Sequence, residues 1–256
     1  MKISWTILGS SSGIASTERA SPGHILSCDD RLFMFDCGSG ATSSFLRSAL
    51  EPDGLEAIIV SHTHADHISD LPMFVQMLYH AIEGRRVMLY LPSEAIAPIS
   101  HYLDACYLFK EKLPFTLDFR SLDSEMDFLD GQITVRPIPN PHLNSNKKYV
   151  DVFGYSNLMQ CYMFSMKVEN KRIFYSADLL RIENIEDQLG NLDLLVVETT
   201  HIDLNHLPQM LAKNRVKKVV LTHIGDEELP AVREFADSVS SDSEIIIGED
   251  NMTIEI

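Results

Sequence analysis

One short segment restricts this chain more than any other: residues 62–67 carry His62, His64, Asp66 and His67 within six positions. The segment directly follows an apolar run, so we expect it where a β-strand ends and a loop begins. In an extended chain His62 and His64 point to the same side. Three imidazoles and one carboxylate are the nitrogen and oxygen donors that zinc prefers. The segment therefore predicts a metal-binding loop.

Short apolar runs predict the architecture around this loop. The runs that we expect to form β-strands are 2–8, 24–28, 32–36, 57–61, 87–91, 133–138, 159–168, 172–176, 193–197, 217–222, 244–247 and 252–256. Helical periodicity lies between them at 40–49, 94–106, 206–213 and 228–238, and most clearly from Ser69, the expected N-cap, to just before Gly84. This alternation predicts a layered α/β protein with sheets between helices. We expect one domain over residues 1–256.

Composition narrows the class of protein. The chain has 256 residues, of which 45% are hydrophobic and 23% charged, as in ordinary soluble globular proteins. No apolar run approaches 18 residues, so no membrane span or membrane partner is expected. The first eight residues are expected to form a strand rather than a secretory signal. The four cysteines stand far apart without a CxxC pair, which favours a reducing, cytoplasmic location.

The charge balance argues against a large nucleic acid as partner. Lysine and arginine number 21 and aspartate and glutamate 37, so the net charge is 21 − 37 = −16. An acidic body repels a polyanion at long range, and binding would need a local basic patch. The basic clusters are all short, and we expect them to be solvated surface features.

Three further residues stand directly after predicted strands: His142, Asp178 and His223. Active-site groups of α/β proteins collect on such loops. Taken singly, each has a structural explanation as good as a functional one. Taken together with a loop that needs partners to complete two metal sites, they are expected to be metal ligands.

The order of these candidate metal ligands along the chain resembles that of the metallo-β-lactamase superfamily. Residues 62–67 match its HxHxDH signature, and three other segments resemble its first glycine turn, its DxG motif and the closing segment of the ribonuclease Z branch: 7–13, 35–40 and 247–252. The resemblance extends along nearly the whole chain. It implies an αββα sandwich, with two mixed β-sheets flanked by helices and metal ligands on loops at one edge.

The resemblance also implies a dinuclear metal centre with two zinc ions, or manganese or iron in their place. One ion would be held by His62, His64, His142 and Asp178. The other would be held by Asp66, His67, Asp178 and His223, so that Asp178 bridges the two. Iron members that reduce oxygen commonly carry Glu where this chain has His64, which favours hydrolysis over redox chemistry.

Cleavage of a phosphodiester needs a proton donor for the leaving oxygen. By resemblance to the phosphodiesterase branch, His201 fills that role and Glu198 orients it, with Asp66 as the third residue expected to take part in catalysis. His206 is the alternative donor, although we expect it to begin a helix. Asp36 is expected either to orient a ligand histidine or to serve as a turn residue.

Two branches of the superfamily are the most similar. Members that process transfer RNA carry a long arm between the third-motif His and the bridging Asp, but here His142 and Asp178 are only 178 − 142 = 36 residues apart. Phosphonate-operon cyclic phosphodiesterases resemble residues 201–205 but usually have an additional cysteine/histidine zinc site, which is missing here. We therefore expect hydrolysis of a small cyclic or nucleotide-derived phosphodiester, in a homodimer. The alternatives are a zinc hydrolase of an ester, thioester or lactone, and a non-catalytic metal-bound binding module.

Overall fold

The computed structural model describes residues 1–239 and 242–256. Its strands, in chain order, are β1 (Ile3–Gly9), β2 (Gly23–Cys28), β3 (Arg31–Cys37), β4 (Leu55–Ile59), β5 (Arg86–Leu91), β6 (Thr116–Ser121), β7 (Met126–Phe128), β8 (Ile133–Pro139), β9 (Tyr162–Val168), β10 (Lys171–Tyr175), β11 (Leu192–Glu198), β12 (Val216–Thr222), β13 (Glu244–Ile247) and β14 (Thr253–Glu255). Its α-helices are α1 (Ala41–Arg47), α2 (Ala65–Ile68), α3 (Leu71–Ala81), α4 (Ile96–Ala105), α5 (Lys147–Phe153), α6 (Leu207–Lys213) and α7 (Leu229–Ser238).

These elements divide into two compact units. The first comprises residues 1–123 and 249–255, and the second comprises residues 124–248 and 256. Each unit contains one seven-stranded sheet. The prediction of two sheets with helices between their strands is therefore confirmed.

The sheet of the first unit has the strand order β14-β1-β2-β3-β4-β5-β6. Strands β14, β1, β2 and β3 pair antiparallel, whereas β3, β4, β5 and β6 pair parallel, so the sheet is mixed. Helices α1 and α3 contribute Phe45 and Phe74 to its hydrophobic core. The two rings meet edge to face, with centroids 5.2 Å apart. Such aromatic burial is a large share of what stabilises a core.

The sheet of the second unit has the strand order β13-β12-β11-β10-β9-β8-β7. Strands β10 to β13 pair parallel, and β7 to β10 pair antiparallel. All seven residues of β11 are buried. A strand that is buried on both faces needs a continuous apolar run rather than an alternating one, which explains the run 194–197 between Asp193 and Glu198.

The pairing pattern determines where the polar strand ends lie. In the first unit, parallel pairing brings the carboxyl ends of β3 and β4 to the same edge, and with them Asp36 and the loop 61–67. In the second unit, β8, β10, β11 and β12 run in the same direction. The residues that follow these four strands, among them His142, Asp178 and His223, therefore share one edge of that sheet.

The structure corrects several details of the sequence prediction. Helix α3 begins at Leu71 with Asp70 as its N-cap, so the assignment of Ser69 to that position is wrong. Strands β6 and β7 were not expected. Helix α5 was not expected either, and the strand expected from residue 159 begins at Tyr162. In the described part of the chain, every helix is too short or too polar to cross a membrane.

Candidate metal centre and catalytic residues

The first unit gathers the four residues of the HxHxDH segment. His64 is the N-cap of α2, and this single short helix turns Asp66 and His67 back towards the strand end. The His62 ring lies 4.7 Å from the His64 ring and 4.2 Å from the His67 ring, measured between centroids. His62 and His67 are fully buried. The group therefore concentrates nitrogen donors at one point of the sheet edge.

Asp36 and Asp66 lie on opposite sides of the His67 ring. Nδ1 of His67 is 2.9 Å from Oδ2 of Asp36, and Nε2 is 3.3 Å from Oδ2 of Asp66. A buried carboxylate at Nδ1 holds the proton on that nitrogen and leaves the lone pair of Nε2 on the side of Asp66. The prediction that Asp36 contacts a ligand-type histidine is confirmed.

Ser61, which the sequence analysis did not single out, completes this arrangement. Its N–H donates to Oδ1 of Asp36 over 2.7 Å, and its hydroxyl donates to Oδ2 over 3.0 Å. The same hydroxyl is 3.0 Å from Nδ1 of His62. It is the first polar residue after the apolar run of β4, but a hydroxyl group at such a place is equally typical of an ordinary turn.

In the second unit, the two oxygens of Asp178 face two different imidazoles. Oδ2 is 3.6 Å from Nε2 of His142, and Oδ1 is 3.3 Å from Nε2 of His223. All three side chains are buried. A carboxylate that presents one oxygen to each of two nitrogen donors has the arrangement that a shared metal ligand requires.

These separations test whether the residues fit zinc. Bonds of 2.0–2.2 Å in a tetrahedral site place neighbouring ligand atoms about 3.3–3.6 Å apart. The Asp66–His67 pair is separated by 3.3 Å, and the two pairs of Asp178 by 3.3 Å and 3.6 Å. The donors are imidazole nitrogens and carboxylate oxygens, in the combination expected for zinc. The residues present in each unit therefore fit such an ion.

Asn140 holds His142 in place. The main-chain N–H of His142 donates to Oδ1 of Asn140 over 3.0 Å, and the Asn140 amide donates to the main-chain oxygen of Asp178. Nδ1 of His142 lies 3.1 Å from the main-chain oxygen of Leu179. Burial lowers the pKa of His142 and outweighs the opposing effect of Asp178. His142 is therefore held in the neutral form that binds metal.

Glu198 and His201 form a carboxylate–imidazole pair beside this group. The buried Glu198 accepts the Leu179 N–H at Oε1 over 3.0 Å and the His201 N–H at Oε2 over 2.8 Å. Nδ1 of His201 is 3.3 Å from Oε1. The His201 side chain is 36% exposed, and its ring lies 4.8 Å from His142 and 5.5 Å from His223. It is thus a solvent-accessible imidazole with a buried carboxylate behind it.

His206 has different surroundings. Its side chain is 55% exposed, and Nδ1 is 3.1 Å from Oε1 of Glu183. It is the N-cap of α6, so the prediction that it begins a helix is confirmed. A hydrogen bond to its own main chain, and after it the hydrogen bond to His206, lowers the pKa of Glu183. No contact joins His206 to Asp178 or Glu198 within the described residues.

Thr200 and Glu228 were also missed by the sequence analysis. The Thr200 hydroxyl is 2.7 Å from the main-chain oxygen of His223 and 2.8 Å from Oε2 of Glu228. The same Glu228 oxygen accepts the Gly225 N–H over 3.0 Å. These bonds join the loop that carries His201 to the loop that carries His223. Neither residue belongs to a sequence motif, so local sequence gives no signal for them.

Curated proteins similar to this chain carry the name Ribonuclease Z. The one from Prochlorococcus marinus (strain NATL1A) is 31% identical over 145 residues, which cover 54% of this chain and 45% of the relative. The one from Methanococcus maripaludis is 33% identical over 109 residues, covering 42% of this chain and 34% of the relative. The chain thus spans less than half the length of the curated relatives it matches.

Solved structures extend the similarity to the whole chain. The metallo-β-lactamase fold protein YhfI from Bacillus subtilis has a TM-score of 0.75 at 20% identity, with 100% of both chains covered. A diphosphatase of the PhnP family has a TM-score of 0.72 at 18% identity, covering 99% of this chain and 98% of the other. The short form of human tRNase Z has a TM-score of 0.71 at 20% identity, covering 98% of both chains. The predicted αββα fold is confirmed.

One family description matches almost the whole sequence. It is that of the anti-Pycsar protein Apyc1, and the match extends over residues 3–239. The resemblance to the metallo-β-lactamase superfamily, in its ribonuclease Z-like branch, is confirmed by the curated relatives and the solved structures together. Within that superfamily, the chain belongs to the family of the anti-Pycsar protein Apyc1.

Proposed function

We propose that this chain is a metal-dependent phosphodiesterase that hydrolyses a small cyclic or nucleotide-derived phosphodiester. The observation that carries the proposal is in the second unit, where Asp178 faces two imidazoles and the Glu198–His201 pair lies beside it. A bridging carboxylate and an adjacent proton donor are the two parts that metal-assisted phosphodiester cleavage needs. The names of similar proteins, a ribonuclease and a diphosphatase, agree with this chemistry.

We propose that residues 1–256 act as one domain and bind two zinc ions. Asp178 would be the shared ligand, and the remaining ligands would be His62, His64, Asp66, His67, His142 and His223. When bound, two such ions lower the pKa of a shared water towards neutrality and polarise the phosphoryl oxygen. Buried carboxylates at the far nitrogen, as Asp36 provides for His67, orient such ligands.

His201 acts as the general acid in this proposal. Glu198 accepts the main-chain N–H of His201 and faces its Nδ1, so the ring is oriented with Nε2 directed away from the carboxylate. Nε2 is therefore the ring nitrogen from which a proton can be given to a substrate. From its half-buried position His201 donates that proton to the leaving oxygen of the substrate. Glu198 is a positioning residue, since its own oxygens are already engaged by Leu179 and His201.

Charge and chain length support a small substrate. The net charge of −16 disfavours a large polyanion. Between His142 and Asp178, where members that process transfer RNA carry a long arm, the structure contains a short 3₁₀ turn, α5, β9 and β10, which occupy most of the interval.

The proposal also includes a cytoplasmic location and a homodimer. Among the described residues no disulfide joins the four cysteines, which suits a reducing compartment.

The first experiment compares wild type with Asp66→Ala in zinc-supplemented hydrolysis of bis(p-nitrophenyl) phosphate. Turnover that disappears in the variant supports metal-dependent phosphodiesterase activity and leads to a screen of cyclic nucleotides. Metal analysis accompanies the assay. If two zinc ions per chain are bound and wild type still has no turnover on any phosphodiester, the proposal is wrong and esters, thioesters and lactones should be screened.

A second experiment tests the proton donor. His201→Ala is expected to keep its metal content and to lose about 10²–10⁴ in turnover on a cyclic nucleotide, whose leaving alkoxide needs a proton. The loss should be much smaller on bis(p-nitrophenyl) phosphate, because nitrophenolate leaves without one. His206→Ala is the matched control, since it removes an imidazole five positions away. Equal losses on both substrates would remove His201 from this role.

A further inference from the structure

The first unit contains a polar cavity of about 590 Å³ apart from the proposed metal ligands. Three stretches of chain form its wall: the loop 15–21, residues at the start and end of α1, and residues 250–251. None of the seven proposed ligands lines it. Its volume lies within the usual range of small-molecule sites, about 300–1,000 Å³.

Two guanidinium groups line this cavity from different stretches of chain. Arg19 belongs to the loop 15–21, and Arg47 ends α1. The hydrogen bond of the Arg47 side chain goes to the Ser44 hydroxyl over 2.9 Å, and no carboxylate of the described residues forms an ion pair with it. In a chain of net charge −16, an arginine that faces a cavity without a carboxylate partner is available for an anionic ligand.

Five hydroxyl groups add donors to the wall; they belong to Ser16, Thr17, Ser21, Ser39 and Ser43. Of the two carboxylates there, Asp250 is already occupied. Its Oδ1 accepts the N–H and the hydroxyl of Ser10, and its Oδ2 accepts the Ala20 N–H over 2.7 Å. Asp250 therefore braces the loop, and Glu18 is the remaining acidic group of the wall.

The wall is held in a fixed shape. The Ser21 N–H donates to the Ser39 main-chain oxygen over 2.9 Å and so joins two of the three stretches. Gly40, at φ +89°, approaches so closely that a Cβ there would lie 3.0 Å from the Cβ of Ala20. A site whose donors are already in place loses less entropy when it binds a ligand.

Asn251 supplies a second, independent observation. It lines the cavity, and its Oδ1 is buried with no hydrogen-bond partner within the described residues. A buried amide oxygen without a partner is costly, and a rotation of this side chain towards the cavity would bring the oxygen to a ligand N–H or O–H. The cavity therefore suits a ligand that combines an anionic group with hydrogen-bond donors.

We propose that this cavity binds the phosphate group of a small phosphate monoester, with Arg19 and Arg47 as its cationic contacts. Guanidinium forks match phosphate oxygens with two parallel hydrogen bonds, and the hydroxyl groups supply further donors. A nucleoside monophosphate has the required chemistry, because it carries a phosphate together with hydroxyl and amino donors. The proposal does not depend on the proposed hydrolytic activity.

The test measures binding of three probes to the zinc-loaded protein by equilibrium dialysis: inorganic phosphate, a nucleoside monophosphate and the nucleoside without phosphate. Arg19→Gln and Arg47→Gln are each expected to weaken monophosphate binding by about tenfold or more, the effect of losing a charge-assisted hydrogen bond. Any phosphate that binds at the metal ions does so in wild type and in both variants, so it does not contribute to the difference in binding between them. Circular dichroism and thermal unfolding verify that the variants are folded.

Arg120→Gln is the matched control, because this arginine of β6 pairs with Asp118 and does not line the cavity. Binding unchanged in both Arg19→Gln and Arg47→Gln overturns the proposal, as does nucleoside binding equal to monophosphate binding. Inorganic phosphate that competes with the monophosphate in wild type, but not in the two variants, supports it. The ratio of the affinity for inorganic phosphate to the affinity for the nucleoside monophosphate then shows whether the cavity prefers free phosphate or a phosphate ester.

Discussion

Asp36 offers the sharpest test of how the fold prepares the proposed metal ligands. The side chain is fully buried, and its two oxygens receive the N–H and the hydroxyl of Ser61 and face Nδ1 of His67 at 2.9 Å. Its backbone is left-handed, with φ 59°. Asparagine has the same shape and tolerates left-handed backbone. Asp36→Asn therefore alters the hydrogen bonding without adding strain.

The effect of Asp36→Asn can be worked out atom by atom. If the amide oxygen continues to accept from the Ser61 N–H, the amide NH₂ group faces Nδ1 of His67. That nitrogen must then give up its proton, which moves to Nε2, the atom 3.3 Å from Asp66. A protonated Nε2 has no lone pair for a metal. The loss of one hydrogen bond to a charged group costs about 1.5–3 kcal/mol. A lost orienting carboxylate weakens metal binding by about 10–100-fold.

Zinc affinity measured by competition with a chelating dye, and urea unfolding of the zinc-free protein, test this expectation. Asp29→Asn is the matched control, because Asp29 is also left-handed, at φ 50°, but is exposed. Among the described residues, its side chain accepts only the Lys2 N–H. A surface change of this kind should alter the unfolding free energy by less than about 0.5 kcal/mol. The reasoning fails if Asp36→Asn binds zinc within twofold of Asp29→Asn.

Three other substitutions have defined outcomes. Asp178→Ala should abolish both activity and stoichiometric zinc, because it removes the proposed shared ligand; metal analysis after dialysis measures this, and full zinc content would contradict it. Phe74→Ala should lower the unfolding free energy by about 3–5 kcal/mol in urea, whereas the exposed neighbour Met73→Ala should stay within about 0.5 kcal/mol. Burial alone would raise the pKa of Asp193, but hydrogen bonds from Lys217 and from the main chain lower it further than burial raises it. Because the pKa of Asp193 is lower in the folded state than the ordinary value of about 3.9, its ionised carboxylate stabilises the fold at pH values above 3.9. This stabilisation is lost as the pH falls through the pKa of the folded state. The difference in unfolding free energy between wild type and Asp193→Asn should therefore shrink from pH 7 to pH 3, and a constant difference would contradict the assignment.

Strand prediction succeeded for the buried strands and for the edge strands β13 and β14, but it missed the other two edge strands, β6 and β7. Strand β11 is buried along its whole length, and its apolar run was visible in the sequence. Strand β6 is the outer strand of its sheet and carries Asp118 and Arg120, so its exposed positions interrupt the apolar pattern. Strand β7 has only three residues, too few for any periodicity. The hydrophobic pattern reports burial rather than pairing.

Helix boundaries depended on contacts that are distant in sequence. Ser69 is a good N-cap by residue type, but its N–H donates to Ala65 and continues the turn of α2. Asp70 takes the cap position, and its carboxylate accepts the Thr42 N–H at the start of α1 over 2.7 Å. Helix α5 escaped prediction for another reason: Tyr149, Val152 and Phe153 share one face, but a helix of seven residues is too short for this spacing to stand out in the sequence. These choices follow from tertiary structure.

Some residues of the candidate site can be predicted from the sequence, whereas others can be found only in the folded structure. Residue type and strand-end position identified His142, Asp178 and His223, because nitrogen and oxygen donors at that place are recognisable. Asn140 and Ser61 could not be found so, since amide and hydroxyl groups after a strand also occur in ordinary turns. Their importance follows from the hydrogen bonds they make to the ligand-type residues.

Backbone strain gives a final reason why the site must be built by the whole fold. Asp36, Ala177 and His223 all have left-handed backbones, with φ of 59°, 45° and 55°, although none is glycine. Each costs about 1–2 kcal/mol relative to an ordinary conformation. Buried hydrogen bonds hold these positions: the Ser176 hydroxyl donates to the Ala177 oxygen over 2.7 Å, and the Thr200 hydroxyl lies 2.7 Å from the His223 oxygen. Glycine would relieve the strain at His223 but would remove the imidazole that faces Asp178. The strained backbone therefore persists because the surrounding hydrogen bonds offset its cost in free energy. The left-handed conformation in turn sets the direction in which each side chain points.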